Sequence, residues 1–218
     1  MEKKYKLTDE TINVIGRTLH RIEALKDFGN VKKGDKGGFI EKEDNLSQNG
    51  NCWICDNAKV YDDAVIYDDA RVDDYAIVRN NAQVYGKAQI SDNAQVCDKA
   101  IIYGNAVIYE DAMVYGKANI YDDAEVYGKA MVYGNAEIFG KAKVYGIAEI
   151  YGNAKVYGNA EVFGNAKVYD FALVFDVAKV YGSAEVFGSA VVYDNAWVYG
   201  NAKIFGSAEV CGKAQICG

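Results

Sequence analysis

The 218-residue sequence predicts an all-β solenoid, in which the chain winds into stacked coils of short parallel strands with a triangular cross-section. Three observations support this prediction. Alanine recurs at every sixth residue from Ala58 to Ala214, 27 times without interruption, and Val or Ile stands two positions after each alanine. The next position is Tyr or Phe in 21 of the 27 hexads. No proline and no insertion breaks the pattern, so one architecture should extend over the whole repeat.

Each hexad is expected to form one short strand and one corner. The unit is Ala-x-Val-Tyr-Gly-Asn, as at 154–159. Alternation along a strand of about four residues places Ala and Val on the inner side and x on the outer side. Gly158, or Asp122 in the equivalent place, stands where the chain must turn, and we expect a positive φ there. Because so short a strand cannot bury its inner face alone, the hexads must stack.

The charged residues at the outer x position indicate three hexads per coil. With an 18-residue coil, residues 18 apart stack at a spacing of about 4.8 Å, and Glu and Lys then alternate along the columns. A two-hexad coil would instead place Glu137 on Glu149. Three hexads per coil give nine coils for the 27 hexads. The predicted columns are Glu149-Lys167-Glu185-Lys203, Glu125-Lys143-Glu161-Lys179 and Glu137-Lys155.

The same period predicts three columns of stacked aromatic rings. We expect the rings to brace the corners, because like rings stacked up a ladder shield one another and the backbone. The alternative is a flat aromatic surface that binds a sugar or a protein. The columns are Tyr115-Tyr133-Tyr151-Tyr169-Phe187-Phe205, Tyr67-Tyr85-Tyr103-Tyr121-Phe139-Tyr157-Phe175-Tyr193 and Tyr109-Tyr127-Tyr145-Phe163-Tyr181-Tyr199.

The spacing of an aliphatic residue and a small residue four positions later, as from Val144 to Ala148, resembles the hexapeptide-repeat proteins. That resemblance implies a left-handed parallel β-helix, although the usual rule for parallel crossovers would favour the opposite hand. The variant with Tyr before Gly is similar to Tyr-Gly-Asn-Ala repeats of uncharacterised bacterial, phage and prophage proteins. The stretch 31–40, with Asp44–Ser47, also resembles the leader of such proteins. The resemblance implies a phage-associated or prophage-associated protein.

The first 50 residues are expected to form a separate unit. We predict a small β cap and an irregular first coil over 1–50, followed by the repeat solenoid over 51–218. Tyr5–Leu7 and Thr18–Ile22 alternate like the strands of a hairpin, and Gly34–Gly38 is expected to be a loop. A cap would cover the strand edges of the terminal coil. No second cap is visible in the sequence, so self-association is the economical expectation for the other end.

Composition and charge limit the classes of partner and the cellular compartments that are compatible with the sequence. Residues 51–218 carry 14 basic and 22 acidic residues and no basic stripe, which disfavours nucleic acid. No apolar run is long enough to span a membrane, and the polar start does not resemble a secretory signal. The five cysteines, an odd number at irregular places, favour a reducing compartment. We expect a cytoplasmic protein, in the host cytoplasm if it is phage-encoded.

A group of apolar residues late in the repeat is the candidate contact surface. Leu173 and Val191 should stack on one face, with Phe171 and Val177 at corners. Clustered exposed apolar residues commonly mark contact surfaces, whereas scattered ones carry no such meaning. The candidate partner-binding residues, all in slots that are mostly polar elsewhere, are Phe171, Leu173, Val177, Val191 and Trp197.

Acidic residues at the corners of the early coils are weak candidates for cation binding. Stacked carboxylates repel one another or hold a hard cation such as calcium. The alternative is that Asp and Asn are simply good residues for left-handed turns. We assign no resident metal or cofactor. One column is formed by Asp74, Asp92 and Glu110, and another by Asp62, Asn80 and Asp98.

Three functions remain open from the sequence. The first is a non-enzymatic structural or protein-interaction scaffold with a protein partner or a second copy of itself. The second is an acyltransferase, because many proteins of the resembled class transfer acetyl groups, typically with a histidine on the helix and often a loop extruded from a coil. Here the only histidine is His20, outside the repeat, and no loop interrupts the hexads, so no catalytic residue is assigned. The third is a carbohydrate-binding or calcium-binding module.

Cys52 and Cys55 occupy regular slots of the repeat, which favours a structural role over zinc binding.

Overall fold

The computed structural model describes residues 3–218 and confirms an all-β parallel solenoid with three sheets in a triangular arrangement and a small N-terminal cap. We call the three sheets A, B and C in the order in which each coil visits them. The chain returns to sheet A after eighteen residues, as the pairing of Lys59 with Ile77 shows. Including the irregular first coil, the solenoid has about ten coils. A single 3-10 turn, Glu43–Asn45, is the one helical segment of residues 3–218.

Beyond the N-terminal strands β1 to β3, most strands have only two residues. Sheet A comprises β1 Tyr5–Val14, β2 Arg17–Ala24, β3 Lys36–Ile40, β5 Lys59–Val60, β8 Ile77–Val78, β11 Gln95–Val96, β14 Met113–Val114, β17 Met131–Val132, β20 Glu149–Ile150, β23 Lys167–Val168, β26 Glu185–Val186 and β29 Lys203–Ile204. Sheet B comprises β6 Val65–Ile66, β9 Gln83–Val84, β12 Ile101–Ile102, β15 Asn119–Ile120, β18 Glu137–Ile138, β21 Lys155–Val156, β24 Leu173–Val174, β27 Val191–Val192 and β30 Glu209–Val210. Sheet C comprises β4 Trp53–Ile54, β7 Arg71–Val72, β10 Gln89–Ile90, β13 Val107–Ile108, β16 Glu125–Val126, β19 Lys143–Val144, β22 Glu161–Val162, β25 Lys179–Val180, β28 Trp197–Tyr199 and β31 Gln215–Cys217.

The expectation of four-residue strands is wrong, because only the x residue and the aliphatic residue of most hexads are in strand conformation. The alanine before them closes the preceding corner instead: the Ala58 amide donates to the Cys55 carbonyl at 3.1 Å. Hydrogen bonds between coils nevertheless continue beyond the strand. In one hexad the amides of Lys59 and Tyr61 donate to carbonyls of the next coil, at 2.9 and 3.2 Å. Corner amides such as that of Asn57 do the same, at 2.9 Å.

The corners have the predicted left-handed conformation. Gly158 has φ of 71° and Asp122 has φ of 57°. At Gly158 the neighbouring coil is also close: a Cβ added there would lie 2.9 Å from the amide nitrogen of Asp176. Glycine therefore serves both the positive φ and the close approach of the backbones, whereas aspartate satisfies the first demand through its tolerance of this region.

The core is a continuous column of small and medium side chains. The alanines from Ala58 to Ala196 and the aliphatic residues from Val60 to Val198 are fully buried. Burial of each Val or Ile contributes on the order of 1.5–2 kcal/mol gross, most of which offsets the ordering of the backbone. The interior is thus lined by apolar side chains throughout the repeat.

The N-terminal hairpin extends sheet A beyond the first coil. β1 pairs antiparallel with β2, and β2 pairs antiparallel with β3, which in turn pairs parallel with β5. The expected loop over Gly34–Gly38 is wrong from Lys36 onward, because β3 begins there. Gly37 and Gly38 are buried, and a Cβ on Gly37 would lie 2.5 Å from the carbonyl oxygen of Ile54. These glycines permit close packing inside a strand rather than a turn.

Lys4 closes the N-terminal end of the core. Its side chain is 1% exposed, and its ammonium donates to the carbonyl of Cys52 at 3.0 Å and to the Cys52 thiol at 3.2 Å. Longer bonds reach the carbonyls of Asn49 and Gly50, at 3.3 and 3.4 Å. Burial lowers the pKa of Lys4, although the Cys52 contact opposes that shift. The ammonium therefore supplies hydrogen bonds to backbone carbonyl groups at the N-terminal end of the solenoid core.

Candidate interaction surface

The outer faces of the middle coils are lined by ion pairs in the predicted register. Each lysine of the charged columns binds the glutamate one coil earlier, so the alternation of sign expected from an 18-residue coil is confirmed. The Nζ–Oε1 distances are 2.8 Å for Lys143–Glu125, 3.1 Å for Lys155–Glu137, 2.8 Å for Lys167–Glu149, 2.8 Å for Lys179–Glu161 and 3.1 Å for Lys203–Glu185.

Tyrosine hydroxyls complete these columns. The Tyr145 hydroxyl donates to Glu161 Oε2 at 3.0 Å, while Lys179 holds the other oxygen of the same carboxylate. Burial alone would raise the pKa of Glu161, but the bonds from Lys179 and Tyr145 outweigh it and lower the pKa. Burial, and then the Glu161 carboxylate, raises the pKa of Tyr145. These paired groups therefore satisfy one another.

The three predicted aromatic columns are confirmed. Neighbouring rings are nearly parallel, with centroids 4.7–5.5 Å apart. Most ring faces are covered by the rings above and below, so only ring edges reach solvent. This geometry favours the bracing interpretation, because a sugar platform needs an uncovered ring face. Uncovered faces remain where a column begins.

The predicted apolar residues lie on sheet B, at its two corners and on the adjoining sheet C. Leu173 pairs directly with Val191 in sheet B, as expected. Phe171 lies at the corner between sheets A and B and is 63% exposed, and Val177 lies at the corner between sheets B and C and is 40% exposed. Trp197 is 39% exposed and belongs to sheet C, where its ring meets that of Tyr181 edge-on at 6.4 Å. We call these five candidate residues, Phe171, Leu173, Val177, Val191 and Trp197, the apolar patch.

Acidic side chains without a basic partner surround the apolar patch. Asp170 and Asp176 stand at the corners beside Phe171 and Val177, and their carboxylates accept backbone N–H groups of the next coil at 3.1 and 3.3 Å. Neither forms an ion pair within residues 3–218, and neither do Asp194 and Glu209. The lysines opposite Leu173 and Trp197 in the neighbouring strands are already paired, Lys155 with Glu137 and Lys179 with Glu161. The border of the patch is therefore predominantly negative.

The acidic corner columns are built from side-chain bonds to the backbone. Asp74 accepts the amide of Asp92 at 3.2 Å, and Asp92 accepts that of Glu110 at 3.0 Å. In the second column Asp62 accepts the Asn80 amide at 3.1 Å and also pairs with Arg17. Asn80 Oδ1 in turn accepts the amide of Asp98 at 3.3 Å, and Asp98 accepts that of Gly116 at 3.0 Å. Residues 3–218 contain no group of three or more His, Cys, Asp or Glu side chains placed to hold a metal.

The histidine and the two early cysteines have structural surroundings. His20 Nδ1 donates to the Thr8 carbonyl at 3.1 Å within the hairpin. Cys52 is buried, and burial raises the pKa of its thiol. Burial, together with Asp73, raises the pKa of Cys55 to about 12, and Arg71 donates to its sulfur at 3.0 Å. Neither thiol is therefore set up as a nucleophile at neutral pH.

Two kinds of exposed feature escaped the sequence reasoning. Ile147 and Tyr75 are 55% and 59% exposed at the corner between sheets C and A. Both occupy the position in the hexad that Phe171 occupies in its own. The rule that selected Phe171 could have found both. The second feature is the break in one aromatic column at Arg79 and Cys97, which was visible as two missing rings in the repeat.

The part of the chain that the structure describes contains no helix able to cross a membrane.

Comparison with known proteins gives one informative similarity. No family model matches the chain. A stretch of 49 residues, 22% of the chain, is 49% identical to YdcK of Escherichia coli (strain K12), an uncharacterised acetyltransferase. That stretch covers 15% of the length of YdcK. The similarity and the three-sheet solenoid together fit a hexapeptide-repeat β-helix. The matched stretch is too small a part of YdcK to assign the activity of that protein to this chain.

Proposed function

We propose that this solenoid is a non-enzymatic interaction scaffold that binds a protein partner through the apolar patch. The observation that supports the proposal is the grouping of five apolar residues on sheet B, its corners and the adjoining sheet C, with Phe171 63% exposed and Trp197 39% exposed. Apolar residues grouped in this way within a polar surround are typical of protein contact surfaces. The rigid coils hold the patch in a fixed shape, so binding does not require ordering of the scaffold.

The negative border argues for one kind of occupant. A segment with apolar anchors flanked by Lys or Arg would pair those charges with Asp170, Asp176, Asp194 and Glu209, none of which has a basic partner within residues 3–218. A second copy docked through the same patch would bring these carboxylates towards one another, because a two-fold interface is self-complementary. We therefore favour a different protein with a basic, apolar segment.

The biological setting is part of the same proposal. We place the protein in a phage or prophage and in the host cytoplasm, where the partner would be a host protein or a phage protein. This setting rests on the resemblance of the Tyr-Gly-Asn-Ala repeats and of residues 31–40 to phage-associated proteins. Expression of a tagged protein in a host strain, followed by fractionation, would test the location.

The binding proposal is tested by a patch variant with a matched control. Leu173→Asp combined with Trp197→Asp places charges inside the patch, whereas Ile147→Asp places one at an exposed apolar residue on another corner. A partner captured from host lysate by the wild type and the control, but not by the patch variant, is then purified and its affinity measured by calorimetry. We expect the affinity to fall at least tenfold in the patch variant and to weaken with added salt.

Two outcomes would contradict this assignment. Equal binding of the purified partner by the patch variant would remove the patch from the interface. Dimerisation of the wild type in sedimentation experiments that is lost in the patch variant would identify a second copy as the occupant instead.

Acyl transfer is the second candidate function, because the local similarity is to an acetyltransferase. His20 is the only imidazole of the chain, and its Nδ1 is held by the Thr8 carbonyl, which leaves Nε2 as the nitrogen free to accept a proton. Purified protein is incubated with acetyl-CoA and a panel of amines and alcohols. Turnover that disappears in His20→Ala would support this candidate, and its absence over the panel would leave the scaffold as the better account.

A further inference from the structure

One aromatic column begins on an uncovered ring face. At the corner between sheets A and B the continuous stack starts at Tyr115, whose ring contacts that of Tyr133 at 4.8 Å on one side. On the other side the next two places in the column are occupied by Cys97 and Arg79 instead of rings. The side chain of cysteine is too short to reach the position of a stacked ring, so the place above Cys97 is open.

A cavity occupies this place. It has a volume of about 270 Å³, just below the range of about 300–1,000 Å³ that is usual for ligand pockets. This size fits a molecule of one or two rings. The cavity is lined by Arg79, Gln95, Cys97, Asp98, Met113 and Tyr115.

The spacing of the column suits a single inserted ring. Arg79 and Tyr115 are separated by two coils, which corresponds to about 9.6 Å along the solenoid. A ring at the level of Cys97 would therefore lie about 4.8 Å from each of them. This is the separation that the rings of the intact columns adopt, such as the 4.9 Å between Tyr133 and Tyr151. The backbone amide of Cys97 bonds to the next coil at 3.0 Å, so the missing ring leaves the coil spacing unchanged.

The polar groups around the cavity define the chemistry of an occupant. The Arg79 side chain donates to Asn80 Oδ1 at 3.3 Å and forms no ion pair with a carboxylate within residues 3–218. It also lies over no ring of those residues, so its planar cation is free to stack. Asp98 uses Oδ2 to accept the Gly116 amide, which leaves Oδ1 as an acceptor. The sulfur atoms of Cys97 and Met113 give the remaining wall an apolar character.

We propose that this cavity, which we call the ring slot, binds an electron-rich aromatic group of one or two rings that carries an N–H or O–H donor, such as an indole or a phenol. The group stacks between the Tyr115 ring and the Arg79 guanidinium, in the place of the missing ring. An electron-rich ring is the best partner for a guanidinium face, and the donor is suited to the Asp98 carboxylate. The ring slot lies in early coils, away from the apolar patch, so this proposal does not depend on the proposed function.

The start of the column at the corner between sheets C and A provides a control. Tyr109 also has an uncovered face, above Ser91 and Asp73, and an open cavity of about 510 Å³ lies beside it. That cavity is lined by Asp92, Asn93, Glu110, Asp111, Gly128 and Lys129 as well as Tyr109, and no arginine lines it. The Arg71 guanidinium, which reaches the same column at Asp73, is paired with that carboxylate. The same ligand should therefore prefer the ring slot.

The proposal is tested with indole as the probe, by ligand-observed saturation-transfer NMR and by calorimetry on the full chain. Cyclohexylmethanol serves as the non-aromatic comparison. For a ligand of this size we expect a dissociation constant of about 1 mM or below. Cys97→Tyr supplies the ring that most hexads carry and fills the slot without disturbing the fold. Ser91→Tyr adds a ring to the other column and leaves the slot open.

We expect the wild type to bind indole but not cyclohexylmethanol. Indole binding should be lost in Cys97→Tyr and retained in Ser91→Tyr. Arg79→Gln should weaken indole binding at least fivefold, because the amide keeps much of the length and removes the cation. Binding of free indole identifies a small-molecule source, whereas binding confined to a Gly-Trp-Gly peptide identifies an aromatic side chain of a protein. Absence of both, or unchanged binding in a folded Cys97→Tyr protein, would overturn the proposal.

Discussion

Lys4 shows how one residue can close the end of a hydrophobic tube. A lysine is normally placed on the surface, yet this one is almost fully buried and pairs with carbonyl groups at the start of the solenoid. The sequence offered no signal for it, because an isolated lysine near the N-terminus resembles any other solvated charge. Its position follows only from the way the hairpin folds over the first coil.

Replacement of Lys4 by methionine should destabilise the N-terminal coils. Lys4→Met keeps an unbranched side chain but leaves the carbonyls of Cys52 and its neighbours without their donor. We expect a loss of about 1–3 kcal/mol in the free energy of unfolding in urea. Lys33→Met, an exposed lysine of the same region, should change it by no more than about 0.5 kcal/mol. Equal values for the two variants would contradict a capping role for Lys4.

Asp122 combines two corner roles in one side chain. Its φ is 57°, and its Oδ2 accepts the Gly140 amide at 3.2 Å. Asp122→Gly keeps the backbone conformation and loses the bond, whereas Asp122→Ala loses the bond and adds strain of about 1–2 kcal/mol in the left-handed region. Thermal unfolding should therefore rank the proteins wild type, Gly and Ala in falling order. A melting temperature of the Ala variant equal to or above that of the Gly variant would be inconsistent with this account.

At the scale of elements, the Glu161–Lys179 pair represents the charged columns on the sheet faces. The lowered pKa of Glu161 means that the unfolded state, with an ordinary glutamate pKa of about 4.3, binds protons more readily than the folded state. The contribution of the pair to stability is thus fully present above about pH 5 and is lost as the pH falls through the folded-state pKa.

A double-mutant cycle measures this contribution. With Glu161→Gln and Lys179→Gln, we expect a coupling free energy of about 0.2–1 kcal/mol at pH 7, since the pair is partly exposed. The coupling should shrink in 1 M salt and fall towards zero below the glutamate pKa. A coupling that stays constant from pH 7 to pH 3 would show that the carboxylate charge is not its source.

The two glycines of β3 explain why the cap was harder to predict than the repeat. A run such as Lys36-Gly37-Gly38 normally indicates a loop, because glycine favours turns. Here the glycines leave room for Trp53 and Ile54 of the neighbouring strand β4, and that requirement appears only when the coils are stacked. The hairpin was placed in the right part of the chain because its alternation is a local property, although β1 continues beyond the predicted Tyr5–Leu7 to Val14, and β2 spans Arg17–Ala24.

At the scale of the whole molecule, the period of the sequence determines most of the architecture. Once the coil holds eighteen residues, the partners of Glu149, Lys167 and Leu173 follow by counting, and the structure places them accordingly. Counting cannot show that a corner carboxylate such as Asp74 will bond a backbone amide of the next coil. It also does not show what an interruption such as Cys97 leaves open, because that depends on side-chain lengths in three successive coils.

The most direct test of the account is the spacing of the coil, measured by disulfide formation in a protein whose five native cysteines are replaced by Ala or Ser. Glu137 lies opposite Lys155, eighteen residues away, and paired strands bring Cα atoms within the range that a disulfide requires. Cysteines at 137 and 155 should crosslink rapidly, whereas cysteines at 137 and 149 or at 137 and 161 should not. Rapid crosslinking of either of the latter pairs, with 137 and 155 remaining reduced, would contradict the triangular solenoid and every surface derived from it.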